Sequence, residues 1–163
     1  MRYASIRKMD ISNGPGLRVS IFFQGCPFHC KNCFNPETWD FNGGEEYTSE
    51  VQKRVLDLAK LSHIKGLSIL GGEPLDDKNI NGVLELAKSF KEMYPDKSIW
   101  LWTGNSFDNK KDKEIMKYLD VVVDGQYKDE LRDPRLKWKG SSNQRVIDVK
   151  KSLEKGSVVL YED

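Results

Sequence analysis

The sequence predicts an α/β fold with mostly parallel strands, arranged as a partial, open (β/α) barrel. Three observations carry that expectation. Short apolar, β-branched and aromatic runs alternate with segments of helical periodicity, the order that builds βα units around a parallel sheet. The chemically distinctive segments each follow one of those runs, and ligands of parallel α/β folds sit at the carboxyl ends of strands. The chain has 163 residues, enough for one domain spanning 1–163 with a sizeable core but too short for a full eight-unit barrel.

The elements follow in order. "RVSIFFQG" (Arg18–Gly25) is a buried strand ending in glycine, and a loop with all three cysteines comes next. "YTSEVQKRVLDLAKLS" places Val51, Val55, Leu58 and Ala59 on one face with charges opposite, an amphipathic helix that Thr48 or Ser49 would cap. "GLSIL" (Gly66–Leu70) is a second strand, and "GGEPL" (Gly71–Leu75) is the turn after it. "NINGVLELAKSFKEMY" reads as a helix stopped by Pro95. "SIWLW" (Ser98–Trp102) is a third strand ending in Thr103 and Gly104, "DKEIMKYL" a short helix, and "DVVVDG" (Asp120–Gly125) a fourth strand. Residues 126–143 break the rhythm as a polar loop with Arg132, Arg135, Lys137 and Lys139 around Trp138. The last twenty residues read as a strand, a short helix and a final strand. No internal repeat or low-complexity tract interrupts the chain.

Charge excludes some functions. Lys and Arg number 26 against 25 Asp and Glu, a formal net charge of +1, so no global field attracts nucleic acid or an anionic membrane. The apolar runs fall far short of the ~20 residues a membrane span needs. "MRYASIRKMD" lacks the apolar stretch of a secretory signal. The expectation is a soluble, cytoplasmic protein without nucleic-acid or membrane partners.

"GCPFHCKNC" holds Cys26, Cys30 and Cys33, spaced C-x3-C-x2-C. Three thiols cannot all pair within one chain, and clustered intracellular cysteines more often bind metal or react than form structural disulfides. A structural zinc site wants four ligands, yet His29 adjoins Cys30 and His63 lies on another element. A redox dithiol would use Cys30 and Cys33 and leave Cys26 without a role. An iron–sulfur cube normally takes four thiolates. With three, one iron keeps an open position, as catalytic zinc keeps one for substrate. The "GGEPL" turn is also a plain tight turn if taken alone. As a ligand loop, its glycines would let carbonyls approach closely, and those carbonyls or Glu73 can accept hydrogen bonds from an ammonium.

C-x3-C-x2-C resembles the cluster motif of radical S-adenosylmethionine enzymes. The longer stretch "GPGLRVSIFFQGCPFHCKNCFN" resembles the signature of glycyl-radical-enzyme activases: G-x-G-x-[KR], three residues, Phe22, then Gly25-Cys26 and the remaining cysteines, ending at Cys33-Phe34-Asn35. The segment from Asp120 to Val149 is similar to the C-terminal region of anaerobic ribonucleoside-triphosphate reductase activating proteins. The departures are small, such as Asn105 where an aromatic residue often follows Thr-Gly.

The resemblance implies a radical S-adenosylmethionine type of open barrel and a [4Fe–4S] cluster on Cys26, Cys30 and Cys33. It implies S-adenosylmethionine on the open iron, contacted by Gly71, Gly72 and Glu73, by the backbone of Asn32 and Cys33, and by the Phe34 ring beside the adenine. Thr103 and Asp124, at neighbouring strand ends, carry over as further contacts, with strand-end capping as the alternative for both. The implied chemistry is reductive cleavage to a 5′-deoxyadenosyl radical that takes a hydrogen from a glycine of the reductase large subunit. No general acid–base pair is needed, and catalysis rests on the cluster and cofactor site. "GPG" at Gly14–Gly16 lacks a dinucleotide fingerprint, so electrons would come from an external donor such as flavodoxin. The alternatives are an activase for a different glycyl-radical enzyme and a non-catalytic zinc or thiol binding module.

Overall fold

The computed structural model describes residues 1–162. Its framework is one seven-stranded sheet, open at both edges, with a mostly parallel middle. The strands are β1 (Arg2–Asp10), β2 (Leu17–Phe23), β3 (Glu45–Glu46), β4 (Ile64–Gly71), β5 (Ser98–Trp102), β6 (Val121–Asp124) and β7 (Arg145–Asp148). The helices are α1 (Ser49–Leu58), α2 (Ile80–Met93), α3 (Phe107–Lys110) and α4 (Val149–Lys155). Spatial order is β3-β1-β2-β4-β5-β6-β7. The β2–β4, β4–β5 and β5–β6 pairs are parallel. The β1–β2, β1–β3 and β6–β7 pairs are antiparallel.

Alternation along the central strands gives the sheet two unlike faces. Val19, Ile21 and Phe23 of β2, Leu67 and Ile69 of β4, and Ile99 and Leu101 of β5 join α1 and α2 in the main core. The sequence-predicted helix face is there: Val55 and Ala59 are fully buried, and Val51 and Leu58 pack beside them. Thr48 is the cap, its Oγ1 accepting the Val51 amide at 3.3 Å. The other face carries Trp100, Val121 and Val123, with Trp102, Trp138 and Tyr161 packed against them.

Arg18 lies on that second face with no solvent exposure. It donates to Ser68 Oγ (2.8 Å), Ser98 Oγ (3.0 Å) and the carbonyls of Leu67 (3.1 Å), Ser98 (3.0 Å) and Pro15 (3.2 Å). Burial lowers its pKa to about 10, so the guanidinium stays charged at neutral pH, and its hydrogen bonds compensate the desolvation. It ties the 13–16 turn to β4 and β5, a structural reason for a cation in the G-x-G-x-[KR] stretch.

The structure adds one strand and corrects two expectations. Arg2–Asp10 is a further strand near the sheet edge, with no apolar run to mark it in the sequence; its exposed positions are Ser5, Arg7, Lys8 and Met9. The helix expected over 112–119 is a 3-10 turn at Glu114–Lys117 that buries Ile115 and Met116. The final strand reduces to one bridge, Ile147 to Leu160. There the Ser152 hydroxyl takes the Val159 amide (2.8 Å) and donates to the Asp148 carbonyl (2.6 Å), replacing a ladder rung. The sheet is open, and no closing pair joins β3 to β7 among the described residues. No helix among those residues is long and apolar enough to cross a membrane.

Candidate functional site

Parallel pairing of β2, β4, β5 and β6 delivers four loops to one end of the sheet. The loop after β2 carries the cysteines, that after β4 the Gly71–Leu75 turn, that after β5 Thr103–Asn105, and that after β6 Gly125 and the long 126–144 segment.

Backbone bonds strap these loops together. Gly72 N–H donates to the Phe23 carbonyl (2.9 Å) and Glu73 N–H to the Gly25 carbonyl (2.7 Å). Thr103 N–H donates to Val123 (2.9 Å) and Gly125 N–H to Asn105 (3.2 Å). The first contact demands glycine at residue 71: its φ is +114°, and a Cβ there would sit 2.2 Å from the Phe23 carbonyl oxygen. Asn79, which sequence reasoning passed over as a helix-start residue, is buried. Its amide nitrogen donates to the carbonyls of Gln24 (3.2 Å) and Glu73 (3.0 Å), joining the two loops from beneath.

The three thiols, Phe34, Gly71, Gly72, Glu73 and Thr103 all line one cavity of about 690 Å³, within the ordinary range for small-molecule sites. Cys26 is 8% exposed, and Cys30 and Cys33 are half-buried. Burial pushes the Cys26 thiol up. Burial, and then the charge of Cys33, does the same to Cys30. Such thiols ionise readily only when a metal takes their protons' place. Among the described residues no three His, Cys, Asp or Glu side chains gather around a single-ion point. The Asn35 N–H donates to Cys33 Sγ at 3.4 Å. His29 stacks on Trp39 with ring centroids 4.6 Å apart, the packing role of an ordinary loop residue.

Glu73 is 1% exposed. Its Oε2 accepts from Thr103 Oγ1 (2.6 Å) and Leu75 N–H (2.9 Å), and its Oε1 from Gly104 N–H (2.7 Å). Burial nonetheless raises its pKa above the ordinary carboxylate value, outweighing those bonds. Oε1 keeps one acceptor position. Thr103 also accepts the Asn105 amide at 3.0 Å, so it caps its strand end while gripping Glu73.

Two sequence-predicted residues stand apart from the cavity lining. Asp124 is buried against Arg145, which bonds both its oxygens (3.0 and 2.6 Å), and it caps α3 by accepting the Phe107 amide (2.7 Å). Those bonds hold the Arg145 pKa above its ordinary value. Asn32, in the left-handed region at φ 56°, turns its side chain to Asp129 (2.9 Å).

The opposite wall comes from the 126–144 segment, through Tyr127, Arg132, Leu136 and Trp138 among others. Trp138 packs edge-on against Trp100 at 5.6 Å, and its carbonyl accepts the Trp102 indole N–H at 2.8 Å. The Arg/Trp content marked this loop in the sequence. The contributions of Arg7, Ser12 and Asn13 to the cavity had no local signal, because they arise from β1 and the 10–16 turn folding over the second face.

A family model described as "4Fe-4S single cluster domain" matches residues 12–147. Three similar proteins carry the name anaerobic ribonucleoside-triphosphate reductase-activating protein. That of Vibrio cholerae is 40% identical over 150 residues, covering 90% of this chain and 97% of its own. That of Enterobacteria phage T4 is 40% identical over 146 residues, covering 90% and 93%. That of Escherichia coli strain K12 is 37% identical over 150 residues, covering 90% and 97%. At that identity over nearly the whole of both chains, with a cluster-domain match spanning the strands that bear the cysteine and glycine loops, this chain belongs to the family of anaerobic ribonucleoside-triphosphate reductase-activating proteins.

Proposed function

We propose that this chain activates an anaerobic ribonucleoside-triphosphate reductase by generating a glycyl radical on its large subunit, as a radical S-adenosylmethionine enzyme. In this reading 1–163 is a single domain whose open sheet serves as a partial (β/α) barrel. The observation that carries it is the meeting of Cys26, Cys30, Cys33 and the Gly71–Glu73 turn on one cavity.

The donor set fits a [4Fe–4S] cluster held by three thiolates. The thiols face a common space without converging on a single-ion point, as ligands of separate irons would, and that space is large enough to take a small molecule as well. Bound together, the cluster and S-adenosylmethionine supply one-electron cleavage of the sulfonium to methionine and a 5′-deoxyadenosyl radical, which takes a hydrogen atom from a glycine Cα of the partner.

The chain's own residues bind and orient. The Gly71 and Gly72 backbone and the remaining acceptor position of Glu73 receive the methionyl ammonium. Thr103 and Gly104 fix that carboxylate. Phe34, 64% exposed, offers its ring to the adenine, and the backbone of Asn32 and Cys33 lies alongside. Asp124 contributes by fixing the end of β6 through Arg145. Phe28, Trp39, Trp102 and Trp138 line the cavity and exclude water from the reactive centre. An external carrier such as flavodoxin delivers the electron, and the work is done in the cytoplasm. The Lys128–Lys139 loop borders the mouth through which the glycine enters.

Anaerobic reconstitution with iron and sulfide tests this. The expected product is a brown protein with about four irons per chain that releases methionine and 5′-deoxyadenosine under strong reductant. A colourless protein holding stoichiometric zinc would overturn it.

A further inference from the structure

The tip of the cysteine loop holds two non-glycine residues in the left-handed region, His29 at φ 48° and Asn32 at φ 56°. Such residues persist only where surroundings impose them. The entry to the loop is fixed by Gly25 N–H to the Thr38 carbonyl (2.7 Å) and Cys26 N–H to the Trp39 carbonyl (3.0 Å). Beyond the entry, Cys30 Sγ touches Gln126 Oε1 at 3.9 Å, and the shorter side-chain tether from that distant segment is the Asp129 carboxylate. Its Oδ2 accepts the Asn32 amide at 2.9 Å, and its Oδ1 accepts the Tyr127 hydroxyl at 2.9 Å. The Tyr127 ring in turn lies against Phe34, centroids 4.9 Å apart. Residues 127 and 129 therefore grip positions 32 and 34, the two neighbours of Cys33. The returning arm of the same loop closes over this grip: a Cβ on Gly140 would lie 2.7 Å from the Phe34 ring and 3.1 Å from the Tyr127 ring.

We propose that Asp129 is a positioning residue of the site, which sets the conformation of Cys33 by holding Asn32 directly and Phe34 through Tyr127. This rests on the reading of Cys33 as a cluster ligand. Asp129 makes no contact with cluster or cofactor in this scheme. It acts by keeping the loop in the one shape that aims Cys33 and presents Phe34. The 126–144 segment is then a strap that joins the cluster loop to the wall nearest the partner.

Asp129→Ala, Asp129→Asn and Tyr127→Phe, made in the full chain, test the proposal by two readouts. In protein without metal, amide exchange over residues 29–34 should quicken about threefold to tenfold in Asp129→Ala, the range for one ordinary hydrogen bond removed, because the Asn32–Asp129 bond is exposed. In reconstituted protein, iron release to a ferrous chelator should quicken by a similar factor. Asp129→Asn and Tyr127→Phe should fall between parent and Asp129→Ala, with thermal midpoints near the parent's. Exchange and iron release both within twofold of the parent would overturn the proposal, as would equal acceleration of exchange throughout the sheet. A parent protein that takes up no cluster would instead refute the proposed function, and the exchange measurement would still decide whether Asp129 holds the loop.

Discussion

The Thr103 hydroxyl and the Glu73 carboxylate are joined by a 2.6 Å hydrogen bond inside the protein, linking the loops after β4 and β5. Glu73 is buried enough that its pKa rises despite three donors, so each donor matters to keeping it ionised. Thr103→Val removes one donor at constant shape. The expected loss is about 1–3 kcal/mol of stability from the under-satisfied carboxylate, read by denaturant unfolding, with a weaker response to S-adenosylmethionine. Unchanged stability and unchanged cofactor affinity would show that the bond does not position Glu73.

Backbone geometry alone demands glycine at residue 71, whatever its carbonyl binds. A side chain there meets the Phe23 carbonyl at 2.2 Å, at a φ of +114°. Gly71→Ala should lower stability by about 1–3 kcal/mol or more and separate the glycine turn from the cysteine loop. A midpoint within experimental error of the parent's would contradict this placement.

Asp10 gives the fold an acid limb. It is 4% exposed, and burial works against its charge. Hydrogen bonds from Ser20 (2.6 Å), Asn13 (2.7 Å) and the Ser12 amide (2.8 Å) outweigh that and hold its pKa below the ordinary 3.8. A carboxylate whose folded pKa is depressed adds stability above its unfolded pKa and loses it as pH falls through the folded value. Unfolding free energy should therefore fall below pH ~4, and Asp10→Asn should flatten that fall relative to the parent. Parallel pH curves for the two proteins would remove Asp10 from the account.

The Lys128–Lys139 loop lines the cavity through Arg132, Leu136 and Trp138, and Arg132, Arg135 and Lys137 are exposed. Reversing these three charges together should slow association with the reductase, because exposed charges govern encounter more than dissociation. Association at the parent's rate and affinity would place the docking surface elsewhere.

The central strands and long helices were legible because each carries its own periodicity. The cysteine and glycine loops were legible because their residues are unusual in type and spacing. What stayed hidden was non-local. β1 owes its pairing to β2 and has no apolar run of its own. The last expected strand lost a rung to one serine hydroxyl, Ser152. Asp124 reads as a cavity residue from its place at the end of β6, but its direction is set by Arg145, twenty-one residues on. Asn79 and Asp129 look like ordinary cap and loop residues until the fold brings Gln24 and Asn32 within reach.

The most direct test of the central claim is electron paramagnetic resonance of the anaerobic reductase after incubation with this protein, S-adenosylmethionine and reductant. The account predicts a glycyl radical doublet on the reductase, lost with Cys26→Ala, Cys30→Ala or Cys33→Ala alone. No doublet from protein with an intact, reducible cluster, or an undiminished doublet from any one of the three variants, would contradict it.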